Sequence, residues 1–451
     1  MQAVPSISRS LADFVLNPPP LPPEVRAAGR RSLMNMIGTA IGGAGEPAIA
    51  ILAGQLGAFS GPATASLIGR AERADMLWAA YINAASANIF DFDDTHIPTV
   101  IHPSAPVGGA VLALCEQLAG AGQPVSGAAL IEAFVLGVEI TCRLGAALHP
   151  GHYARGWHIT STCGTFGAAV AAGRLLGLGA DALIYALSHA LAQNSGSVET
   201  LGSMSKSLSV GQAARGGLLA AVLAKQGYTG ISAPIEGARG FLALHSDAPD
   251  LAALTGGLGT RWEILKNTFK PYPCGVVLNP VIEACLDLQG GFGGIADEIA
   301  AIELTGHPLL RQRTDRPDPP SGRMSQVSAQ HAVAVSLLWG RADLAAFSDE
   351  AVANPALRRL GGKLRFHEDA SVPIDSVAVR LILSDGREVT HRVAAAKGGL
   401  ARPLTDAELA EKLQAQIAWR GAGIDASALI AAISDIEAAP NGAAFVALTR
   451  T

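Results

Sequence analysis

The spacing of apolar residues changes character once along the chain. After the proline-rich "NPPPLPPE", where proline suits the first turn of a helix, Leu33, Ile37, Ala40 and Ile41 fall at i, i+4, i+7 and i+8. They mark one apolar helical face. Alanine-rich segments of the same kind follow, among them "ADMLWAAYINAASANIF", "GAALIEAFVLGVEITCRLGAAL", "TFGAAVAAGRLLGL" and "GQAARGGLLAAVLAKQG". Up to about residue 265 the pattern predicts helices and almost no strand.

Beyond "KPYPCG" the texture differs. One more helix, "NPVIEACLDLQG", precedes "EIAAIELTG", whose alternation predicts a strand. In "VAVRLILSDGREVTHRV", Val377, Val379, Leu381 and Leu383 alternate before Asp385-Gly386, which predicts strand, tight turn, strand. A polar loop, "RQRTDRPDPPSGR", and a helix over "SAQHAVAVSLLWGRADLAAF" lie between them. The tail from "PLTDAELAEKLQAQIAW" is helical again, opened by Thr405 and Glu408 in capping-box spacing. The expected fold class is mainly α. It comprises a large all-helical domain over 1–266, a smaller α+β domain over 267–399, and C-terminal helices over 400–451 that return to the helical domain.

Composition sharpens this picture. A length of 451 residues exceeds one ordinary core. With 51 glycines and only 5% aromatic residues, close helix packing is favoured over a large β-sandwich. A net charge of −5 with interspersed signs leaves no basic stripe, so nucleic acid is not an expected partner. Cys115, Cys142, Cys163, Cys274 and Cys285 show no CxxC spacing, and an odd number cannot all pair, which suggests a reducing compartment. The N-terminus lacks a basic segment followed by an apolar run, and stretches such as "GGLLAAVLAKQG" are too short to span a bilayer. A soluble, cytoplasmic chain with no membrane partner is expected.

Polar chemistry concentrates in four stretches. In "DFDDTHIPTVIHPSAPV", a helical reading places Asp91, Asp94 and Thr95 on one face and Asp93 on another. Such a face could hold a divalent metal, build an acid/base network or simply cap backbone N–H groups. His102 follows, held extended by Pro103, and can act as acid or base near neutral pH. The second stretch, "GHYARGWHITSTCG", offers His152, Tyr153, Arg155, His158 and several hydroxyls that, with the next helix N-terminus, could bind an anion or pack as a loop on Trp157. The third, "GSMSKSLSVGQAARGG", places Lys206 ahead of an apolar helix, where it could bind a carboxylate or act as a base. The fourth, "KNTFKPYPCGVVLNP", holds Lys270 and Tyr272 between prolines at the presumed domain junction. Magnesium binding by "DFDD", as in a prenyl-diphosphate enzyme, finds no second acidic motif on a later helix.

Taken in order, "DFDDTH…HPSAPV", "GHYARGWHITSTCGTFGAA", "GSMSKSLSVGQAARGG" and "KPYPCG" resemble the MmgE/PrpD family over essentially the whole chain. That resemblance implies a large helical domain, a smaller α+β lid, a homodimer and no required metal or organic cofactor. It also implies chemistry beside the carboxylates of small polycarboxylic acids, since members include 2-methylcitrate dehydratases, cis-aconitate decarboxylases and iminodisuccinate epimerases. It assigns Asp91, Thr95, His102, His158 and Lys206 to the active site and Lys270 to the junction. Tyr153 is similar to a tyrosine that faces the matching lysine in epimerase-like members. Two positions depart from the pattern. Gly275 stands where decarboxylase-type members carry a histidine, and His331 where members commonly have tyrosine.

On this basis Lys206, Lys270 and Arg155 are expected to hold substrate carboxylates, with Tyr272 and His331 lining the site. Tyr153 and Lys206, or His102 and His158, would transfer protons. Asp91 would orient a histidine, while Asp93 and Asp94 support the backbone and neighbouring side chains. Protonating a leaving hydroxyl gives dehydration, whereas exchanging one proton from opposite faces gives epimerisation. A dehydratase-type lyase on a substrate such as 2-methylcitrate is expected. An iminodisuccinate-type epimerase is the alternative, and a decarboxylase or a non-catalytic helical scaffold comes behind it.

Overall fold

A computed structural model describes residues 6–292, 295–421 and 423–451. The chain is mainly helical and divides into two units, each described by itself. The larger unit comprises Met1–Ile89, Asp93–Asn267 and Asp406–Thr451. The smaller comprises Phe90–Phe92 and Thr268–Thr405.

The larger unit begins with α1 (Ile7–Leu16), α2 (Pro23–Gly43), α3 (Pro47–Gly57), the paired two-residue strands β1 (Ala65–Ser66) and β2 (Arg73–Ala74), and α4 (Met76–Asn88). It continues through the short strand β3 (Thr95–His96), α5 (Ser104–Gly120), α6 (Gly127–Leu148), the single turn α7 (Gly151–Ala154), α8 (Ile159–Leu175), α9 (Ala180–Ala192) and α10 (Ser205–Lys225). Two short helices, α11 (Phe241–His245) and α12 (Leu251–Thr255), lead toward β4 (Asn267–Thr268).

At the centre, α8 packs against α6 and α10, and α10 also against α4, α9 and α5. Glycine permits this closeness. A Cβ at Gly167 of α8 would lie 1.9 Å from Thr141 Oγ1 on α6, and one at Gly217 of α10 would lie 2.4 Å from the Thr165 carbonyl on α8. By length and composition α10 could cross a membrane, contrary to the expectation that its apolar run is too short, but most of its apolar window is buried as in a core helix. A fully buried ion pair on α6 fixes the approach to β4. Arg143 Nε donates to Glu139 Oε1 at 2.6 Å, and its guanidinium donates to the carbonyls of Leu254 (3.1 Å), Gly256 (2.9 Å) and Arg261 (2.6 Å). Glu139 Oε2 accepts the backbone N–H groups of Glu263 (2.7 Å) and Ile264 (3.2 Å).

In the smaller unit, α13 (Asn279–Phe292) precedes β5 (Ile299–Gly306). Then come α14 (Pro308–Thr314), α15 (Gly322–Ser325), α16 (Ala329–Trp339), α17 (Asp349–Ala353), α18 (Pro355–Gly361) and strands β6 (Leu364–Glu368), β7 (Val377–Leu383) and β8 (Glu388–Val393). The sheet order is β6-β5-β7-β8, with β5 and β6 parallel and the other pairs antiparallel. Val377, Val379, Leu381 and Leu383 all face inward as their alternation predicts, opposite Val281, Ile282 and Cys285 of α13 in one apolar core. Gly386, at φ +85°, closes the β7–β8 turn. Strand β6 was not anticipated, because a five-residue run with two apolar positions is too short a period-two signal.

The remaining helices, α19 (Asp406–Arg420) and α20 (Ala426–Ser434), belong to the larger unit. There α19 packs on α2, with Lys412 Nζ donating to Asn35 Oδ1 at 2.7 Å. The first polar stretch departs from the helical reading. Helix α4 ends at Asn88, and Asp91 takes a left-handed φ of +53°, so Asp91, Asp94 and Thr95 do not share a helix face. Short acidic side chains that bond locally compete with helical continuation here.

Candidate active site

The start of α8 organises one half of the predicted site. His158 is its N-cap residue, and three consecutive hydroxyls follow. Each meets a different histidine: Thr160 Oγ1 accepts from the His102 backbone N–H at 3.0 Å, Ser161 Oγ lies 3.1 Å from His158 Nδ1, and Thr162 Oγ1 lies 2.7 Å from His152 Nε2. These hydroxyls, which the sequence left open between anion binding and loop packing, contact the three histidines.

His102 is buried, and its Nδ1 lies 2.8 Å from the Asp94 carbonyl oxygen. A carbonyl only accepts, so Nδ1 is the donor and the neutral ring carries its lone pair on Nε2. Asp93 Oδ1 and Thr95 Oγ1 each lie 3.4 Å from Nδ1. Asp93, 1% exposed, is itself held by Asn88 Nδ2 at 2.7 Å. Asp91 is the carboxylate expected to orient a histidine, and Asp93 also lies beside His102 Nδ1. The Asp94 carboxyl accepts from Ser104 Oγ and Asn267 Nδ2, and from the Ser104 backbone N–H at 3.4 Å. Complete burial outweighs these donors and pushes its pKa up to about 7.

His158 Nδ1 also lies 3.0 Å from Ser209 Oγ on the first turn of α10. Lys206, 3% exposed, sits in that turn. A cation at the positive end of a helix dipole is disfavoured there unless negative charge comes close. Its neighbour Ser207 donates to Asn88 Oδ1 at 3.4 Å, so hydrogen bonds run from this turn to Asn88 and Asp93, and Asp93 Oδ1 lies 3.4 Å from His102 Nδ1. Thr95, His102, His158 and Lys206 are thus joined through named contacts within the larger unit. Asn88, Asp93, Ser161 and Ser209 belong with them, and isolated asparagines or serines carry no sequence signal of such a role.

The other predicted residues stand differently. Tyr153 lies on α7, half-buried. His152 is a core group among Trp157, Phe241 and His245, and burial drives its pKa down to about 3. Arg155 is exposed and ion-paired with Asp247. Lys270 is buried in the smaller unit, where its Nζ donates to the Asp91 carbonyl at 2.6 Å and to Asp91 Oδ2 at 2.7 Å. It thereby holds Asp91 in its left-handed conformation, and both groups belong to the smaller unit. Tyr272 packs against that unit's apolar core, and burial raises its pKa. His331 Nε2 donates to the Ala346 carbonyl at 2.7 Å beside Phe347, and burial lowers its pKa. Tyr272 is thus partly buried against its unit's core, and His331 is buried within the unit. The five cysteines are buried, and burial pushes the thiols of Cys115, Cys163 and Cys274 up to about 12, which removes them as thiolate nucleophiles.

Comparison with known families matches residues 9–254 to the MmgE/PrpD N-terminal domain and residues 272–437 to the MmgE/PrpD C-terminal domain. The chain belongs to the MmgE/PrpD family. Among this family's curated members, cis-aconitate decarboxylase of Aspergillus terreus is 28% identical over 361 residues, covering 74% of this chain and 73% of the relative. The Mus musculus enzyme of the same name is 27% identical over 407 residues, with 86% and 81% covered. The Homo sapiens one is 28% identical over 353 residues, with 75% and 72% covered. As a MmgE/PrpD chain it differs from the family's decarboxylase-type pattern at Gly275, whose φ is −55°. A Cβ there would find its nearest neighbours at 3.7 and 3.9 Å, so packing does not require glycine.

Proposed function

We propose that this chain is a lyase that removes a proton from carbon next to a carboxylate of a small polycarboxylic acid and eliminates water, without a metal or organic cofactor. Its substrate class is that of 2-methylcitrate. The observation that carries this reading is the orientation of His102, buried, with Nδ1 as donor and Asp93 alongside. Such a ring takes a proton on Nε2 while the carboxylate stabilises the imidazolium that forms, a contribution of about 10²–10⁴ in rate. His158 has hydroxyls at the same ring nitrogen and is the second proton carrier: in its protonated form it gives the Nε2 proton to the departing hydroxyl, which leaves as water while His102 takes the proton from carbon. Lys206, at the N-terminus of α10, supplies positive charge for a carboxylate whose neighbouring carbon becomes electron-rich.

A second reading, decarboxylation, has the names of the relatives behind it. Gly275 weighs against it, because the histidine that the resemblance assigns to decarboxylase-type members has no counterpart there.

Proton NMR in heavy water with citrate, 2-methylcitrate, cis-aconitate and iminodisuccinate, with and without EDTA, tests both. A new vinylic signal unchanged by EDTA supports elimination. Release of CO₂ from cis-aconitate supports the second reading, and exchange without net loss indicates epimerisation. No exchange with any of the four refutes the proposal.

A further inference from the structure

We propose that Ser209, together with Ser161, is the positioning residue that fixes the hydrogen of His158 on Nδ1 and ties this ring to the turn bearing Lys206. The inference rests on the reading of His158 as a proton carrier and adds the device that sets its tautomer. Both serine oxygens lie within hydrogen-bond distance of His158 Nδ1, at 3.1 Å for Ser161 and 3.0 Å for Ser209. Each hydroxyl has one hydrogen, and each has a carbonyl to give it to. Ser161 Oγ donates to the His158 carbonyl at 3.0 Å, and Ser209 Oγ donates to the Lys206 carbonyl at 2.9 Å. With both hydrogens committed, both oxygens turn lone pairs toward Nδ1, which is then a donor shared between them. The lone pair of the neutral ring therefore sits on Nε2.

One serine would not do this, because a single hydroxyl can rotate and donate to the ring. Two hydroxyls with separate carbonyl acceptors resist that reversal together. The placement also explains serine at 209. A hydroxyl bonded back to the carbonyl three residues earlier does little for a helix, yet here it links the backbone of Lys206 directly to His158. The result matches His102, where the Asp94 carbonyl fixes the same tautomer by different means. Both rings are set as acceptors at Nε2.

The test is a two-bond proton–nitrogen correlation spectrum of the full chain labelled with ring-¹⁵N histidine, recorded without substrate. His158 is assigned by the signal lost in His158→Gln. The wild-type protein is expected to show a protonated Nδ1 and a lone-pair Nε2. Combining Ser161→Ala with Ser209→Ala should mix the two tautomers and lower kcat about tenfold while KM stays within about twofold. Ser209→Thr, which keeps the hydroxyl, should retain the wild-type pattern. A wild-type ring protonated on Nε2, or an unchanged tautomer in the double variant, overturns the proposal. The wild-type spectrum decides alone if the double variant fails to fold. Because the tautomer is read without substrate, its outcome is separate from the proposed function, which fails if no polycarboxylate exchanges protons.

Discussion

Asp94 makes the stability of the larger unit depend on pH in an unusual direction. Its carboxyl is fully buried, and the donors from Ser104 and Asn267 do not offset the loss of water, so its pKa rises from an ordinary 3.8 to about 7. Roughly three units at about 1.4 kcal/mol each make ionised Asp94 cost the fold about 4 kcal/mol. The sign follows from proton counting. Between about pH 4 and pH 7 the folded chain holds a proton that the unfolded chain has released, so stability contributed by this group falls as pH rises through that window. Replacing Asp94 by Asn removes the titration while an amide oxygen can still accept from Ser104 Oγ and Asn267 Nδ2. Urea unfolding of wild type and Asp94→Asn at a series of pH values isolates the group, because other titrations cancel in the difference. Wild type should lose about 3 kcal/mol relative to the variant between about pH 5 and pH 8. A difference that stays level, or that grows in favour of wild type with rising pH, would show that the donors outweigh burial and refute the reasoning.

Three further outcomes follow from named contacts. Arg143→Met strands Glu139 in the interior, and chemical denaturation should find the unfolding free energy lower by about 3–5 kcal/mol; a loss below about 1 kcal/mol would contradict the pairing described. Arg155→Gln removes an exposed pair with Asp247, so steady-state turnover should stay within about twofold, and a loss of about tenfold would return this arginine to substrate binding. His331→Leu deletes the bond to the Ala346 carbonyl, which should lower stability by about 1–3 kcal/mol with KM unchanged. A selective rise in KM without loss of stability would instead mark His331 as a ligand group.

Helix and strand identities were legible where periodicity is sustained, as in α6 and β7, because packing of one face enforces the pattern. The stretch "DFDDTH" misled because spacing rules presuppose a helix, and the left-handed Asp91 ends any such register. Consequently the carboxylate of Asp91 meets Lys270, and that of Asp93 lies beside His102 Nδ1. Histidines and lysines could be nominated from chemistry alone. The serines and threonines around them could not, since "TSTCG" gives no hint that its three hydroxyls meet the His102 backbone and the rings of His158 and His152. For Arg155 and His331, residue type suggested function, and sequence could not show the carboxylate and the backbone carbonyl that these side chains engage.

His102 and His158 are proposed to move protons to and from carbon beside a carboxylate. Deuterium incorporation from heavy water, measured by NMR on whichever polycarboxylate turns over, tests this in wild type, His102→Gln and His158→Gln. Each variant should keep its fold by circular dichroism and lose at least about 100-fold in exchange rate. Exchange retained within a few-fold of wild type in both variants would contradict it.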